Sequence, residues 1–185
     1  MIATRAPAQA GINDWTHAVT ASANYYFFTH PSAANALLIL SSAVIDLLAI
    51  FLLGRWIVQG AARPFAALVV VLALRQVMQF SIALPAPPNQ IWHYPGFPSL
   101  LVTYNVANDY FFSGHTAIAV LASVELSRIS RAWGTWLGVA LVIFEIGTVL
   151  VLRAHYSMDV FTGLITGLYA PHLADWLLSA LKRNA

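Results

Sequence analysis

Five stretches of this chain, residues 33–53, 65–84, 110–129, 133–152 and 158–181, are each about twenty mostly apolar residues long. That is the length at which an α-helix, rising 1.5 Å per residue, crosses a hydrocarbon core about 30 Å thick. Within a bilayer, backbone polar groups must be satisfied inside a helix or a closed barrel. Windows of this length therefore predict an all-α, polytopic membrane helical bundle of about five transmembrane helices. Composition points the same way: 59% of the residues are hydrophobic and 9% charged, against roughly 25% charged in a soluble domain. The third window is the weakest, because Ser123, Glu125 and Ser127 interrupt it. Leaving it out would put the motifs that flank it on opposite sides of the membrane.

Residues 1–32 contain no such run. Their mixed stretch DWTHAVTASANYYFFTHP is rich in aromatics that favour the membrane–water boundary. It predicts an interfacial helix or a loosely ordered arm ahead of a single transmembrane domain at 33–185. Arg5 is followed by polar and small residues, unlike the apolar core of a secretory signal. The sequence holds no cysteine, which excludes disulfides, thiolate chemistry and cysteine-based metal sites.

Six cations, Arg55, Arg63, Arg128, Arg131, Lys182 and Arg183, fall on one side of the predicted spans, against Arg5 and Arg153 on the other. An excess of Lys and Arg marks the cytoplasmic side, so the N-terminus is expected outside and the C-terminus inside. The long connection 85–109, opening PAPPNQIWHYPGFP, then falls on the outer face. No internal repeat, low-complexity tract or interdomain linker divides the chain. The net charge of +2 says little, and nucleic acid is not an expected partner.

Two polar clusters, distant in sequence, arrive on that outer face. One is Asp109-x-x-x-Ser113-Gly114-His115, where the long connection enters the third span; the other is RAHYSMD, from Arg153 to Asp159, at the turn into the fifth. His155 and Asp159 are four apart, so they stack on one face if the helix begins by His155. The carboxylate can then accept an imidazole N–H, set the tautomer and leave the other ring nitrogen as nucleophile or base. Gly114 allows close backbone approach, and Ser113 with the N–H groups of a helix start can hold an anion. His115 is placed to protonate a departing oxygen. Two histidines, one backed by a carboxylate, with arginines and an anion cradle describe phosphoryl transfer that needs neither a metal nor another cofactor.

Other residues carry plainer readings. His17, His30, His93 and His172, each taken alone, read as interfacial side chains. Trp15, Trp92 and the aromatic run from Tyr25 to Phe28 read as interface anchors. Asp46, Glu125, Glu145 and Asp175 read as polar contacts between helices. Arg75, roughly 15 Å below the outer end of its span, is balanced between two roles. It either pairs with Asp46, Glu125 or Glu145, or holds a phosphate with its bidentate fork.

NDYFFSGHT and HYSMDV together resemble the paired signatures of the sphingomyelin synthase-like branch of the phosphatidic-acid phosphatase superfamily. LRQVMQFSIALPAP, from Leu74 to Pro87, is similar to that branch's arginine-to-Leu-Pro-x-Pro motif. The resemblance runs from about Arg75 to Ala170. It implies a helical-bundle enzyme in which His155 attacks a lipid phosphoester and forms a phospho-histidine. Asp159 would orient His155, and His115 would protonate the leaving group and take a proton back from the acceptor. Arg75, Ser113, Gly114, Arg153 and Asp109 would hold the substrate phosphate. Arg153, two residues before His155, stands nearest to an arginine that the superfamily's phosphatases carry before their second histidine.

These observations lead to a lipid phosphotransferase. It would move a phosphate or phospho-headgroup from a membrane phospholipid to a lipid hydroxyl, ceramide or diacylglycerol. Hydrolysis, with water as acceptor, is the alternative within the same chemistry. A catalytically silent lipid-binding protein is the alternative outside it; the complete His115, His155 and Asp159 set argues against that.

Overall fold

The computed structural model describes residues 12–104 and 110–184; Arg5 and Asp109 lie outside the described residues. Among the described residues the elements are all helices, in the order α1 (Trp15–Val19), α2 (Ala21–Thr29), α3 (Pro31–Gln59), α4 (Ala62–Ser81), α5 (Gly114–Ile129), α6 (Trp133–Val151) and α7 (Ser157–Asn184). Each of the five apolar windows is thus the body of one helix, α3 to α7. Pro31 opens α3, where its missing N–H costs no hydrogen bond. Gly60, at φ +67°, closes α3 in the left-handed conformation and turns the chain into α4.

The bundle is that of a membrane protein. Helices α3, α4 and α6 are long and apolar enough to cross a bilayer. Helices α5 and α7 fall short of that measure for different reasons. α5 has 16 residues, of which 11 are buried, and it packs against α3, α4, α6 and α7, so its surroundings are mostly protein. α7 is long, 28 residues, but carries more polar groups and Pro171 in its interior.

Small residues let two helices close on α5. Gly134 and Gly138 of α6, and Gly163 and Gly167 of α7, each stand four apart and form two small-xxx-small stripes. A methyl group at Gly163 would lie 2.6 Å from the Ser113 carbonyl oxygen, and one at Gly167 2.6 Å from that of Ala117. One at Gly134 would strike the Leu126 backbone, and one at Gly138 the Ser123 side chain. The backbones therefore touch, and the starts of α5 and α7 come together at the same end of the bundle as the end of α6.

The acidic residues in the helices serve different partners. At the far end, Glu125 of α5 pairs with Arg63 at 2.5 Å and faces Arg55 at 3.7 Å, while Asp175 takes the Nε of Arg63 at 3.0 Å. Glu145 of α6 accepts from the Ser41 hydroxyl of α3 at 2.7 Å. Asp46 departs from the interhelical reading. Its carboxylate accepts from the Ser99 hydroxyl and from the backbone N–H groups of Leu100 and Leu101, at 2.9–3.1 Å. Asp46 lies 15 residues into α3, about 22 Å along its axis, so the connection after α4 reaches well down the side of α3. Irregular backbone at such depth must have its donors satisfied by protein, and Asp46 does this.

Of the arm at 1–32, the described part is mostly helical. Asp14 caps α1 by accepting from the Thr16 N–H at 2.9 Å. Asn24 of α2 donates to the Val151 carbonyl, at the end of α6, at 2.8 Å. Trp15, Tyr25, Tyr26 and Phe28 stay exposed on the other face of the arm.

The glycine stripes make a direct prediction. Gly163→Val should destabilise the protein by about 1–3 kcal/mol, the usual cost of overpacking. Gly147→Val, where no atom lies within 4 Å of the added carbon, should leave thermal unfolding in detergent unchanged. Equal unfolding temperatures for the two variants would contradict this packing.

Candidate active site

The site lies in and around the turn between α6 and α7. The end of α6 keeps the turn in register: Ala154 N–H donates to the Val149 carbonyl at 2.8 Å, and Arg153 takes a left-handed φ of +54° to make the reversal. Helix α7 then starts at Ser157, so His155 precedes the helix instead of lying within it. This changes the expected pairing with Asp159. His155 Nδ1 is 3.7 Å from Asp159 Oδ2 but only 2.7 Å from the Tyr110 carbonyl oxygen. A carbonyl can only accept, so Nδ1 carries the proton and the neutral ring keeps its lone pair on Nε2.

Asp159 instead closes the first turn of α7. Its Oδ2 accepts the Tyr156 N–H at 2.9 Å, as an acidic residue at the third helical position does in a capping box. The Asp159 carbonyl accepts from Ser113 N–H at 3.1 Å, which joins the starts of α7 and α5. The carboxylate is fully buried, its Oδ2 lies 3.7 Å from His155 Nδ1, and its Oδ1 has no hydrogen-bond partner among the described residues.

On α5, Ser113 is the N-cap. Its hydroxyl oxygen accepts from the Thr116 N–H at 3.3 Å and from the Thr116 hydroxyl at 3.0 Å. Gly114 and His115 form the first turn. A side-chain carbon at Gly114 would meet Arg75 Nε at 3.0 Å, so this glycine makes room for the guanidinium. Arg75 Nε in turn donates to the Phe112 carbonyl at 3.4 Å. The carboxylates considered for Arg75 are engaged elsewhere: Glu125 by Arg63, Asp46 by the connection after α4 and Glu145 by Ser41. His115 is buried, its ring edge-on to Trp92 at 5.2 Å, and its Nε2 has no hydrogen-bond partner among the described residues.

Arg75, Gly114, His115 and His155 line one cavity of about 50 Å³, together with Tyr110 and Trp92. That is room for a few water molecules. It suits a small polar group. Arg153 and Ser113 do not line it. Arg153 donates to the Pro88 carbonyl at 2.7 Å and to the His17 carbonyl at 3.3 Å, so its guanidinium holds the turn instead of facing the histidines. Asp109 lies outside the described residues. Among the described residues no group of three or more His, Cys, Asp and Glu side chains is disposed to hold a metal ion.

Sequence reading missed several members of this site. The Tyr110 carbonyl is a backbone group and leaves no mark in a side-chain pattern. Trp92, read as an interface anchor, also forms a wall beside His115, and its indole N–H donates to the Thr103 carbonyl at 3.1 Å. His17 is not interfacial. It is buried, and its Nε2 donates to the His155 carbonyl at 3.0 Å. Asp14 accepts the Ser157 N–H at 2.6 Å and so caps α7 from outside it. The short pattern Asp-x-Thr ahead of a helix was the available signal for Asp14 as a cap, but not for its second bond.

The fold and site define a helical membrane protein with a histidine-lined polar cavity at one end of its bundle. By sequence the chain belongs to the AtPDCT1/2 family, which residues 13–176 match. It is 27% identical over 168 residues to phosphatidylcholine:diacylglycerol cholinephosphotransferase 1 of Arabidopsis thaliana, covering 91% of this chain and 54% of that relative. To phosphatidylcholine:diacylglycerol cholinephosphotransferase 2 of the same plant it is 26% identical over 129 residues, 70% of this chain and 42% of the relative. The chain thus spans about half the length of the curated relatives it matches. No solved structure matches it.

The Asp14 tie has a defined pH range. Burial alone would raise this carboxyl, but hydrogen bonds from Ser157 and Thr16 outweigh it and hold the pKa at about 2, below the ordinary 3.8. A depressed carboxyl contributes stability above its unfolded pKa and loses it as pH falls through the folded value. The Ser157 amide should keep the same protection from hydrogen exchange, after correction for the intrinsic rate, between about pH 7 and pH 5. Asp14→Ala should remove that protection and cost about 0.5–2 kcal/mol, as the loss of a cap does. Undiminished protection in Asp14→Ala would contradict the assignment.

Proposed function

We propose that this protein transfers a phospho-headgroup from a phospholipid to the hydroxyl of diacylglycerol through a covalent intermediate on His155. The observation that carries the reading is the His155 Nδ1–Tyr110 hydrogen bond beside a cavity shared with His115 and Arg75. It presents a nucleophilic nitrogen, a second imidazole and a fixed cation around a space the size of a small polar group. The names of the two relatives support phosphatidylcholine as donor and favour diacylglycerol over ceramide as acceptor. The three motifs around Arg75, His115 and His155 support placement beside the sphingomyelin synthase-like enzymes.

In this mechanism His155 Nε2 attacks phosphorus and the bond to the donor glycerol oxygen breaks. His115, protonated, gives its proton to that oxygen, and diacylglycerol leaves. The acceptor hydroxyl then returns a proton to His115 as its oxygen attacks phosphorus, and the His155–phosphorus bond breaks. Asp159 stabilises the positive charge that develops on the His155 ring. Arg75 balances charge on the phosphoryl oxygens. The site faces the outer leaflet when the six-to-two distribution of Lys and Arg sets orientation.

The purified protein, given headgroup-labelled phosphatidylcholine and a diacylglycerol of distinct chain length, should produce labelled phosphatidylcholine bearing the new chains, read by mass spectrometry. Labelled phosphocholine in place of that product would make water the acceptor; no product of either kind would overturn the reading. His155→Ala should abolish transfer. His115→Ala should slow it about 10²–10⁴-fold with the natural donor, whose alkoxide needs a proton, and much less with an aryl phosphodiester that the enzyme accepts. Equal losses on both donors would remove His115 as the acid.

Orientation has its own test. Cysteines introduced singly at Asn89 and Arg183 should react with an impermeant thiol reagent from opposite sides, Asn89 from outside. Labelling of both from one side would contradict the topology.

A further inference from the structure

The N-terminal arm reaches the catalytic turn through several separate contacts, which is more than an interfacial anchor requires. Asp14 Oδ2 takes the N–H of Ser157 at 2.6 Å, and Asn24 Nδ2 donates to the carbonyl of Val151 at 2.8 Å. These grip the turn at its two ends. Between them His17 acts twice: its Nε2 donates to the His155 carbonyl at 3.0 Å, and its own carbonyl accepts from Arg153 Nη2 at 3.3 Å. The His17 ring also lies over Tyr156, with centroids 5.4 Å apart and planes at 31°.

His155 stands in a turn, and among the described residues no backbone N–H donates to its carbonyl as one would in a helix. Its N–H reaches the Val149 carbonyl at 3.4 Å. The peptide plane after it is held on the carbonyl side by His17. That plane sets the direction of the Cα–Cβ bond, and hence whether Nδ1 meets the Tyr110 carbonyl at 2.7 Å. We infer that His17 is a positioning residue. By donating to the His155 carbonyl, it holds the His155 ring on Tyr110 with Nε2 as the free nitrogen, and this makes the N-terminal arm part of the reactive unit. The role in transfer rests on the reading of His155 as nucleophile; the geometric role does not.

Two replacements separate reach from bulk. A glutamine side-chain N–H stands close to the place of His Nε2, whereas that of asparagine reaches only as far as Nδ1. His17→Gln should keep the bond to the His155 carbonyl, and His17→Asn and His17→Ala should lose it. In headgroup transfer, Ala and Asn should lower kcat about 10–10²-fold, the scale of a misplacement of about 1 Å, with KM for the phospholipid within about twofold. Gln should restore most of the rate. Trp15→Ala, on the exposed face of the arm, should match the unmodified protein.

A second readout needs no activity. In protein labelled with ¹⁵N-histidine, the His155 signals, assigned by their absence in His155→Asn, should show one tautomer with the proton on Nδ1. They should shift toward a mixture in His17→Asn and His17→Ala and keep their positions in His17→Gln. Should His17→Ala fail to fold, the Gln and Asn pair still decides. Unchanged His155 signals in His17→Asn would overturn the positioning role, as would equal kcat for Gln and Asn or a loss confined to KM. A tautomer shift as expected in a protein that transfers no headgroup would uphold the positioning and overturn only the transferase reading.

Discussion

The Tyr110 carbonyl decides what His155 can do. A neutral imidazole has one nitrogen to donate and one to attack, and the partner of the first selects the second. Here the partner is a backbone oxygen at 2.7 Å, closer than the carboxylate four residues on. A backbone partner cannot change rotamer or protonation state, so the choice of nitrogen is as firm as the contact between the segment before α5 and the turn before α7. Asp159 is left to cap its own helix beside the ring.

That contact depends on packing far from any chemistry. Gly163 lets the α7 backbone touch the Ser113 carbonyl, and the Ser113 N–H in turn donates to the Asp159 carbonyl. The same approach sets Tyr110, three residues before Ser113, against His155. A small-residue stripe between α7 and α5 therefore fixes the geometry of a polar site at one end of the bundle. Bilayers favour this design, because lipid offers no hydrophobic drive between helices and close backbone packing must hold them. From the opposite side the arm grips the turn through Asp14, His17 and Asn24. Arg153 joins arm, turn and connection through two carbonyls.

The sequence made the helices legible because each apolar window is long enough to admit nothing else in a bilayer. It also brought His115 and His155 to one end of the bundle, since the parity of the spans leaves no other arrangement. The details of the site were hidden where side-chain patterns carry no information. The spacing of His155 and Asp159 suggested a helical stack, but α7 begins two residues after His155, and the imidazole turns to a backbone oxygen instead. Arg153 looked like an anion ligand by its place beside His155; its guanidinium instead meets two carbonyls and does not line the cavity. Asp46 was visible as an acid within an apolar window, while its partners, backbone N–H groups of the connection that runs beside α3, could be seen only in three dimensions. His17 had no signal beyond being a histidine near aromatics.

The central claim is that the phosphoryl group is carried on Nε2 of His155. Rapid quenching at alkaline pH during turnover, followed by ³¹P NMR and peptide mass spectrometry, tests it directly, because the two phosphoramidate isomers of histidine have distinct spectra. The account predicts a phospho-headgroup on His155 bonded through Nε2. An adduct through Nδ1 of His155, or one on His115, would contradict it.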